Sequence, residues 1–462
     1  MSLHILAHKR MPRAALLWIM WVWLFPLAGV LVYLYFGTNS VGLPPHRIMA
    51  PPRRGRRPSF DRYAEAVAGT PLRRLNTVRI LANGAEGYPA MLAAIAGAAV
   101  QVDLQTYIFD LDSVGEAFLE ALVAAARRGV RVRVLVDGMG AYRARHPLKV
   151  RLRLAGGEAR HTASLDRVFR QPLANLRNHR KLLVVDGGLA FTGGLNISQR
   201  YAKGPVAVFR DLSAGRQAED GVRDVHFALE GPITADLARC FQDDWAGSGG
   251  KSGLLPARPR GRGHAPGSAS GAGARGGGIS GVDARVVRSG PDEDLERIYE
   301  VLLGALAGAR DRVDLCTPYF IPDPSLLAVL RMLGYKGVRV RLFVPRVSDH
   351  PYVHWAGQHY YPDLLDAGVE VWEVGRPFIH SKLAVVDAGW VFLGSSNLDI
   401  RSFRLNFELN VEAHSKVLAG RLRSFLDVYK ADGIRIDARH LLKRPAWKRV
   451  RAALVNLAAP YL

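Results

Sequence analysis

The feature that most constrains the fold of this chain is that it repeats itself. Val102-Asp103-Leu104-Gln105-Thr106 returns as Val313-Asp314-Leu315-Cys316-Thr317, and RGVRVRVLV at Arg128 to Val136 returns as KGVRVRLFV at Lys336 to Val344. A chain that carries two copies of one pattern folds as two copies of one unit. The matched runs are rich in β-branched residues, and alanine- and leucine-rich amphipathic stretches lie between them, the alternation of an α/β fold. Each first strand leads through a helix-like stretch to the second, as βαβ units require. We therefore expect two duplicated α/β domains, each a mixed or largely parallel sheet flanked by helices.

Both copies continue into the same short motif. His179-Arg180-Lys181-Leu-Leu-Val-Val-Asp186-Gly187 in the first half is matched by His380-Ser381-Lys382-Leu-Ala-Val-Val-Asp387 in the second, a shared HxKxxxxD. Residues two apart on a strand face the same side, so each His points where its Lys points, from an element fixed by the apolar run behind it. Thr192-Gly193-Gly194-Leu195-Asn196 then answers Leu393-Gly394-Ser395-Ser396-Asn397, with the same 17 positions from His to Asn in both halves. One HxK carries little information; two in the same register point to one active site made from both halves.

These residue types suit phosphodiester transfer. The substrate is an anion that repels nucleophiles until its charge is offset, and Lys181 and Lys382 supply two cations. Asn196, Asn397 and Ser395 are candidates to donate hydrogen bonds to phosphoryl oxygens. A neutral imidazole from one half could attack phosphorus while a protonated one from the other serves the leaving oxygen, which requires opposite protonation states at His179 and His380.

The rest of the chain narrows the partners. With 63 basic and 41 acidic side chains the net charge is +22, suited to polyanionic ligands. Cys240 and Cys316 are too few and too isolated for a disulfide framework or a zinc site, so we expect buried thiols and no metal or other cofactor. His350, His354 and His359 crowd one segment, but no third-ligand pattern accompanies their i, i+4 pair. Residues 14–36 contain no charge over 23 positions; as one helix they would span about 34 Å, enough for a bilayer core. The expected organisation is a basic segment at 1–13, a transmembrane helix at 14–36, a basic Pro-rich linker at 37–70, domains at 71–245 and 282–432, a Gly/Pro/Arg-rich linker at 246–281 and a basic amphipathic tail at 433–462. The larger basic cluster after the helix favours a cytoplasmic catalytic region on a single-pass membrane protein.

The paired HxKxxxxD motifs resemble the phospholipase D superfamily. The segments GPITADLARCFQDDW from Gly231, SGPD from Ser289, TPYFIPD from Thr317 and GSSNLDIRSFRLNFELN from Gly394 look like those of the bacterial cardiolipin synthases. The resemblance implies a bacterial inner-membrane phosphatidyltransferase that makes cardiolipin and glycerol from two phosphatidylglycerols. His179 would be the nucleophile, forming a phosphatidyl-histidine, and His380 the general acid and then base. It also implies that Asp224, in RDVHFALEGP, and Glu408, in NFELN, bond the second imidazole nitrogens. Asp186 and Asp387 belong to the motif but sit seven residues from the histidines, which suggests turns or ion pairs. The family usually has two membrane helices, whereas this chain has room for one. The expected partners are anionic phospholipids and a membrane, with no nucleic acid. A lipid hydrolase or nuclease of the same superfamily is the alternative.

Overall fold

The chain was analysed as a computed structural model that describes residues 1–8, 12–37, 59–162, 176–202, 221–251, 277–291, 295–442 and 444–457. Its organising elements are strands whose side chains are buried on both faces, such as Leu182–Val185 and Leu383–Val386. Their uninterrupted apolar sequences, LLVV and LAVV, fit strands covered by helices on either side. The first half contributes β1 (Arg73–Ala82), β2 (Gln101–Thr106), β3 (Arg131–Asp137), β4 (Glu158–Thr162), β5 (Arg177–Asn178), β6 (Leu182–Val185), β7 (Leu189–Gly193), β8 (Val222–Arg223) and β9 (Val225–Glu230). The second contributes β10 (Ile279–Ser289), β11 (Arg312–Cys316), β12 (Phe320–Ile321), β13 (Arg339–Pro345), β14 (Glu370–Val374), β15 (Phe378–Ile379), β16 (Leu383–Val386), β17 (Trp390–Gly394), β18 (Leu398–Asp399), β19 (Asn406–His414) and β20 (Gly433–Ile436).

The two halves share one sheet. Outward from the central pair β1 and β10, the first half runs β9, β7, β6, β2, β3, β4, and the second runs β19, β17, β16, β11, β13, β14, β20. The order is the same in both halves up to the extra edge strand β20, so the duplication is visible as a pseudo-twofold arrangement about the central pair.

The expectation of a largely parallel sheet is corrected. Along the main run of the sheet, parallel pairing is confined to β2–β3–β4 and β11–β13–β14, with the two-residue β5 lying parallel to β19 off that run. The intervening strands pair antiparallel, including the central β1–β10 pair. The cause lies in the motif itself: β6 and β7, like β16 and β17, are joined by three-residue turns, and a turn that short can connect only antiparallel strands. Asp186 and Asp387 open those turns at φ of 51° and 45°, a region Asp tolerates better than most residues.

Helices Ile233–Gly247 and Lys416–Ala431 cover one face of the sheet, and their Phe241, Trp245, Leu422 and Phe425 join a core containing Leu182, Val184, Leu383 and Val385. Leu183 and Val185, one residue out of phase, pack on the opposite face with Phe118, Leu119 and Leu122 of helix Ser113–Arg127. Ala384 and Val386 do the same in the second half with Ile298, Leu302, Leu326 and Leu330. Burial on both faces fixes each motif strand, and hence the direction in which its histidine points.

The expected transmembrane helix over 14–36 is also corrected. The segment is split into helices Pro12–Leu24 and Pro26–Val32 at Phe25, whose φ and ψ are −132° and 75°. Pro26 explains the break, because it offers no N–H and its ring clashes with the carbonyl four residues back. The chain then folds back so tightly that a Cβ on Gly29 would lie 2.4 Å from the Trp21 carbonyl oxygen. Among the described residues no helix is long and apolar enough to cross a membrane.

Residues 252–276 of the Gly/Pro/Arg-rich stretch and 38–58 of the Pro-rich stretch lie outside the described residues. The ends of both stretches are structured: Phe60–Ala68 is a helix capped by Ser59, and β10 begins at Ile279. The first residues of the basic tail form β20, paired with β14.

Candidate active site

Each motif histidine enters the site from a short strand that pairs with the other half of the chain. β5 lies parallel to the start of β19, and the His179 N–H donates to the Phe407 carbonyl at 2.9 Å. β15 lies parallel to β8, and the His380 N–H donates to the Arg223 carbonyl at 2.7 Å. The side chains follow the same exchange. His179 Nδ1 is 3.0 Å from both carboxylate oxygens of Glu408, and His380 Nδ1 is 2.8 Å from Asp224 Oδ2. Each half therefore orients the other half's imidazole. With Nδ1 engaged, Nε2 is the nitrogen left to react. Both rings are largely enclosed, His179 at 8% exposure and His380 at 6%.

The two carboxylates are held differently. Glu408 accepts the Ser395 hydroxyl and, at 3.2 Å, the Asn406 amide, while Ser395 Oγ accepts the Leu409 N–H at 2.9 Å. Asp224 accepts the Val225 N–H at 2.7 Å and rests against Gly194, where a Cβ would come within 2.2 Å and 2.3 Å of its two oxygens. Gly194 thus occupies the register position that Ser395 fills in the second half, and a shorter acid faces it.

These surroundings separate the two pairs electrically. Burial pushes His179 down to about 4, opposed by Glu408 and reinforced by Lys181. Burial alone would raise Glu408, but His179, Lys181 and the Ser395 hydroxyl hold it below its ordinary value. The first pair is accordingly a neutral imidazole beside an ionised carboxylate at neutral pH. In the second pair burial raises Asp224 to about 7 against the pull of Lys382, the Val225 N–H and Lys181. His380 is held well below its ordinary value by burial and then by Lys382, Lys181 and His179. Near neutrality that pair carries an exchangeable proton belonging to the two groups jointly.

The lysines flank the rings. Lys181 Nζ donates to the His179 carbonyl at 2.7 Å and lies 5.4 Å from the Tyr107 ring centre. Lys382 Nζ donates to the His380 carbonyl at 2.6 Å and lies 3.1 Å from His380 Nε2. Burial brings Lys181 down to about 7 and Lys382 to about 8. An anion arriving between them would favour their charged forms.

The remaining candidates from the sequence are placed as follows. Asn196 accepts the Ile108 N–H at 3.2 Å and donates to the Tyr201 hydroxyl at 2.7 Å. The buried Asn397 side-chain oxygen has no hydrogen-bond partner among the described residues. The Ser395 hydroxyl is committed to Glu408. Asp186 and Asp387 stand at the far ends of the motif strands: Asp186 accepts the N–H groups of Ala99, Val100 and Gln101, and Asp387 those of Arg310, Asp311 and Arg312. They tie the motif hairpin to the start of the neighbouring strand. His354 bonds Gln358 at 2.7 Å, whereas His350 stacks edge-on against Tyr319. The metal-ligand-like cluster among the described residues, Asp61 with Glu412 and His414, lies outside this constellation, and its Glu412 is already paired with Arg285 at 3.1 Å.

Several contributors escaped the sequence reading. Tyr107 packs edge-on against His179 with centroids 5.1 Å apart, and Tyr201 and Tyr319 pack against His380 at 5.6 Å and 6.5 Å. Arg180, the middle residue of the first HxK, is buried and bonds the Glu408 and Ser289 carbonyls, each at 3.0 Å, as well as Asp244. His226 is buried two residues beyond Asp224, and neither of its ring nitrogens has a partner among the described residues. The signals available were aromatic residues just after the repeated strands, in TYIF and TPYF, and the histidine of RDVHF.

The sequence matches the family model described as "Cardiolipin synthase, PLD-like domain" over residues 91–205 and 302–428, more than half its length. The chain belongs to that family. Among curated relatives it is 29% identical to the cardiolipin synthase of Geobacillus kaustophilus, over 100% of this chain and 91% of that one. It is 32% identical to the major cardiolipin synthase of Bacillus subtilis, over 84% and 76%. The fold is similar to that of phosphatidylserine synthase from Haemophilus influenzae, with a TM-score of 0.59 at 14% identity, covering 87% of this chain and 100% of that one. As a cardiolipin synthase family member the chain is a phosphatidyltransferase of the phospholipase D superfamily.

Proposed function

We propose that this enzyme joins two phosphatidylglycerol molecules into cardiolipin and glycerol through a phosphatidyl group carried on His179. The observation that carries the reading is the crosswise pairing of His179 with Glu408 and His380 with Asp224. It gives one site an imidazole backed by an ionised carboxylate and, facing it, an imidazole–carboxylate pair that holds a proton, as in-line displacement with acid assistance requires.

In the first step His179 Nε2 attacks phosphorus, and the bond from phosphorus to the glycerol headgroup oxygen breaks. That oxygen takes the proton held by the His380–Asp224 pair and leaves as glycerol. Glu408 stabilises the positive charge that develops on His179. In the second step His380 accepts the proton of a hydroxyl on the second phosphatidylglycerol as that oxygen attacks phosphorus. The P–N bond breaks, releasing cardiolipin and restoring both pairs. Lys181 and Lys382 offset phosphoryl charge throughout, and the Asn397 side chain can serve the same oxygens only through its NH2, the amide's donor group.

The substrates place the enzyme at the bacterial cell membrane. The +22 charge supports this reading, as do the exposed apolar side chains of the N-terminal helices, among them Leu16, Trp21, Trp23 and Leu27. The test is to supply labelled phosphatidylglycerol to purified enzyme with a chelator present and identify the products. Cardiolipin and glycerol are expected. Phosphatidic acid without cardiolipin would overturn the transferase reading, and loss of activity on chelation would overturn the metal-free step.

A further inference from the structure

We propose that the C-terminal helix Ala446–Leu457, with Tyr352 beside it, is an interfacial seat that sets the mouth of the active site on an anionic lipid bilayer. The proposal rests on the phosphatidyltransferase reading for its choice of surface, but its geometry is independent of it.

The helix has two unlike apolar faces. Ala452 and Val455 face the protein, Val455 packing with Ile321 and Ala356, and Asn456 accepts the Tyr360 hydroxyl at 2.9 Å. On another side Trp447, Val450, Leu454 and Leu457 are 58%, 57%, 61% and 67% exposed. Their spacing of three, four and three residues puts them on one stripe. A helix already anchored by one face has no folding reason to keep a second apolar stripe in water. From Ala438 to Leu457 the chain carries Arg439, Lys443, Arg444, Lys448, Arg449 and Arg451 and no acidic residue. An apolar stripe bordered by cations on an amphipathic helix is complementary to an anionic lipid surface.

Position links the seat to catalysis. The helix packs on Pro351–Gly357, with the Arg451 guanidinium 3.8 Å from the Trp355 ring centre. Trp355 in turn touches Tyr352, which is 60% exposed and extends the apolar surface. Helix Pro351–Gly357 begins immediately after Asp349 and His350. The Tyr319 hydroxyl donates to Asp349 at 2.8 Å, and its ring meets those of His350 and His380. Arg451 joins Trp447 of the stripe to Trp355, and the short helix that carries Trp355 starts at the loop whose Asp349 and His350 hold Tyr319 against His380, so one packed unit carries both the stripe and a wall of the site.

The test uses full-length protein, whose two native thiols, Cys240 and Cys316, are buried. An environment-sensitive thiol dye is placed on Leu454→Cys and, as a control, on Glu230→Cys at the end of β9 remote from Asp224. Vesicles of phosphatidylglycerol with phosphatidylcholine should blue-shift the dye at 454 and not at 230, and salt should weaken the shift. In parallel, the double variant Trp447→Glu/Leu454→Glu should lose about tenfold or more of the turnover of phosphatidylglycerol in vesicles, the scale set by withholding buried apolar side chains. Its turnover in detergent mixed micelles should stay within about twofold. An unmoved dye at 454, or unchanged vesicle turnover in the double variant, overturns the proposal. The dye reading needs no turnover, so wild-type protein inactive in both assays would overturn the catalytic reading while leaving the seat measurable.

Discussion

Replacing Glu408 by Gln tests the crosswise site at its most enclosed point. Glu408 is 0% exposed and receives His179 Nδ1, the Ser395 hydroxyl and the Asn406 amide. An ionised carboxylate can accept all three; a glutamine offers one acceptor oxygen and a donor NH2. If that NH2 meets His179, the imidazole proton moves to Nε2, the nitrogen required for attack. If the amide is flipped, the NH2 opposes the Ser395 hydroxyl or the Asn406 amide. Either arrangement loses the negative charge that stabilises the imidazolium formed during attack. Wrong-tautomer and lost-charge effects of this kind lower rates by roughly 10³- to 10⁴-fold, about 4 to 5.5 kcal/mol of barrier. Single-turnover quench-flow with labelled phosphatidylglycerol should show adduct formation slowed by that factor, while circular dichroism and Tm report that the variant is folded. A folded Glu408→Gln enzyme forming adduct within about tenfold of wild type would refute the claim that this carboxylate sets the nucleophile.

Further outcomes follow from the same geometry. Adduct formation should fall below pH about 4 as His179 takes a proton, and fall again as pH rises through about 7, where the Asp224–His380 pair loses its shared proton. Lys181 and Lys382 lose charge over the same alkaline range, at about 7 and about 8; a single-turnover rate that is flat from pH 6 to about 9 would contradict this assignment. Gly194→Ala should cost about 10² or more in kcat, because its Cβ would lie 2.2 Å from an Asp224 oxygen, whereas Gly188→Ala, with nothing within 4 Å of its Cβ, should be active. Asp186→Ala should lower stability by about 3 to 4 kcal/mol through loss of an acceptor for three backbone N–H groups, read as a fall in Tm, with kcat of the folded enzyme retained within a few-fold. Loss of kcat without loss of stability would instead place Asp186 in the chemistry.

The duplication and the motif strands were legible because their signals are local. β2 and β11, and β3 and β13, are repeated words, and the runs after His179 and His380 are apolar enough to demand burial on both faces. Strand direction departs from the βαβ expectation because Asp186-Gly187-Gly188 is a hairpin turn between two strands, and a turn that short reverses the chain. The N-terminal break has an equally local trace: Pro26 stands in the middle of the uncharged run from Ala14 to Phe36. The exchange of carboxylates has no such local trace. His179 and Glu408 are 229 positions apart, and His380 and Asp224 are 156 apart, so only the closure of the shared sheet brings them together. The same holds for Tyr107, Tyr319 and Arg180, whose places in the site depend on contacts from distant segments. Ser395 and Gly194 show a subtler limit. The alignment of the two halves equates them, but which donates and which yields space depends on the length of the acid opposite.

The central claim is that one site built from both halves carries the phosphatidyl group on His179. It is tested most directly by quenching the enzyme during turnover of phosphatidylglycerol labelled in its acyl chains and mapping the label by peptide mass spectrometry. The account predicts an acid-labile phosphatidyl adduct on the peptide containing His179, absent from His179→Ala and formed more slowly in His380→Ala. An adduct on His380, or one that still forms in His179→Ala, would contradict it.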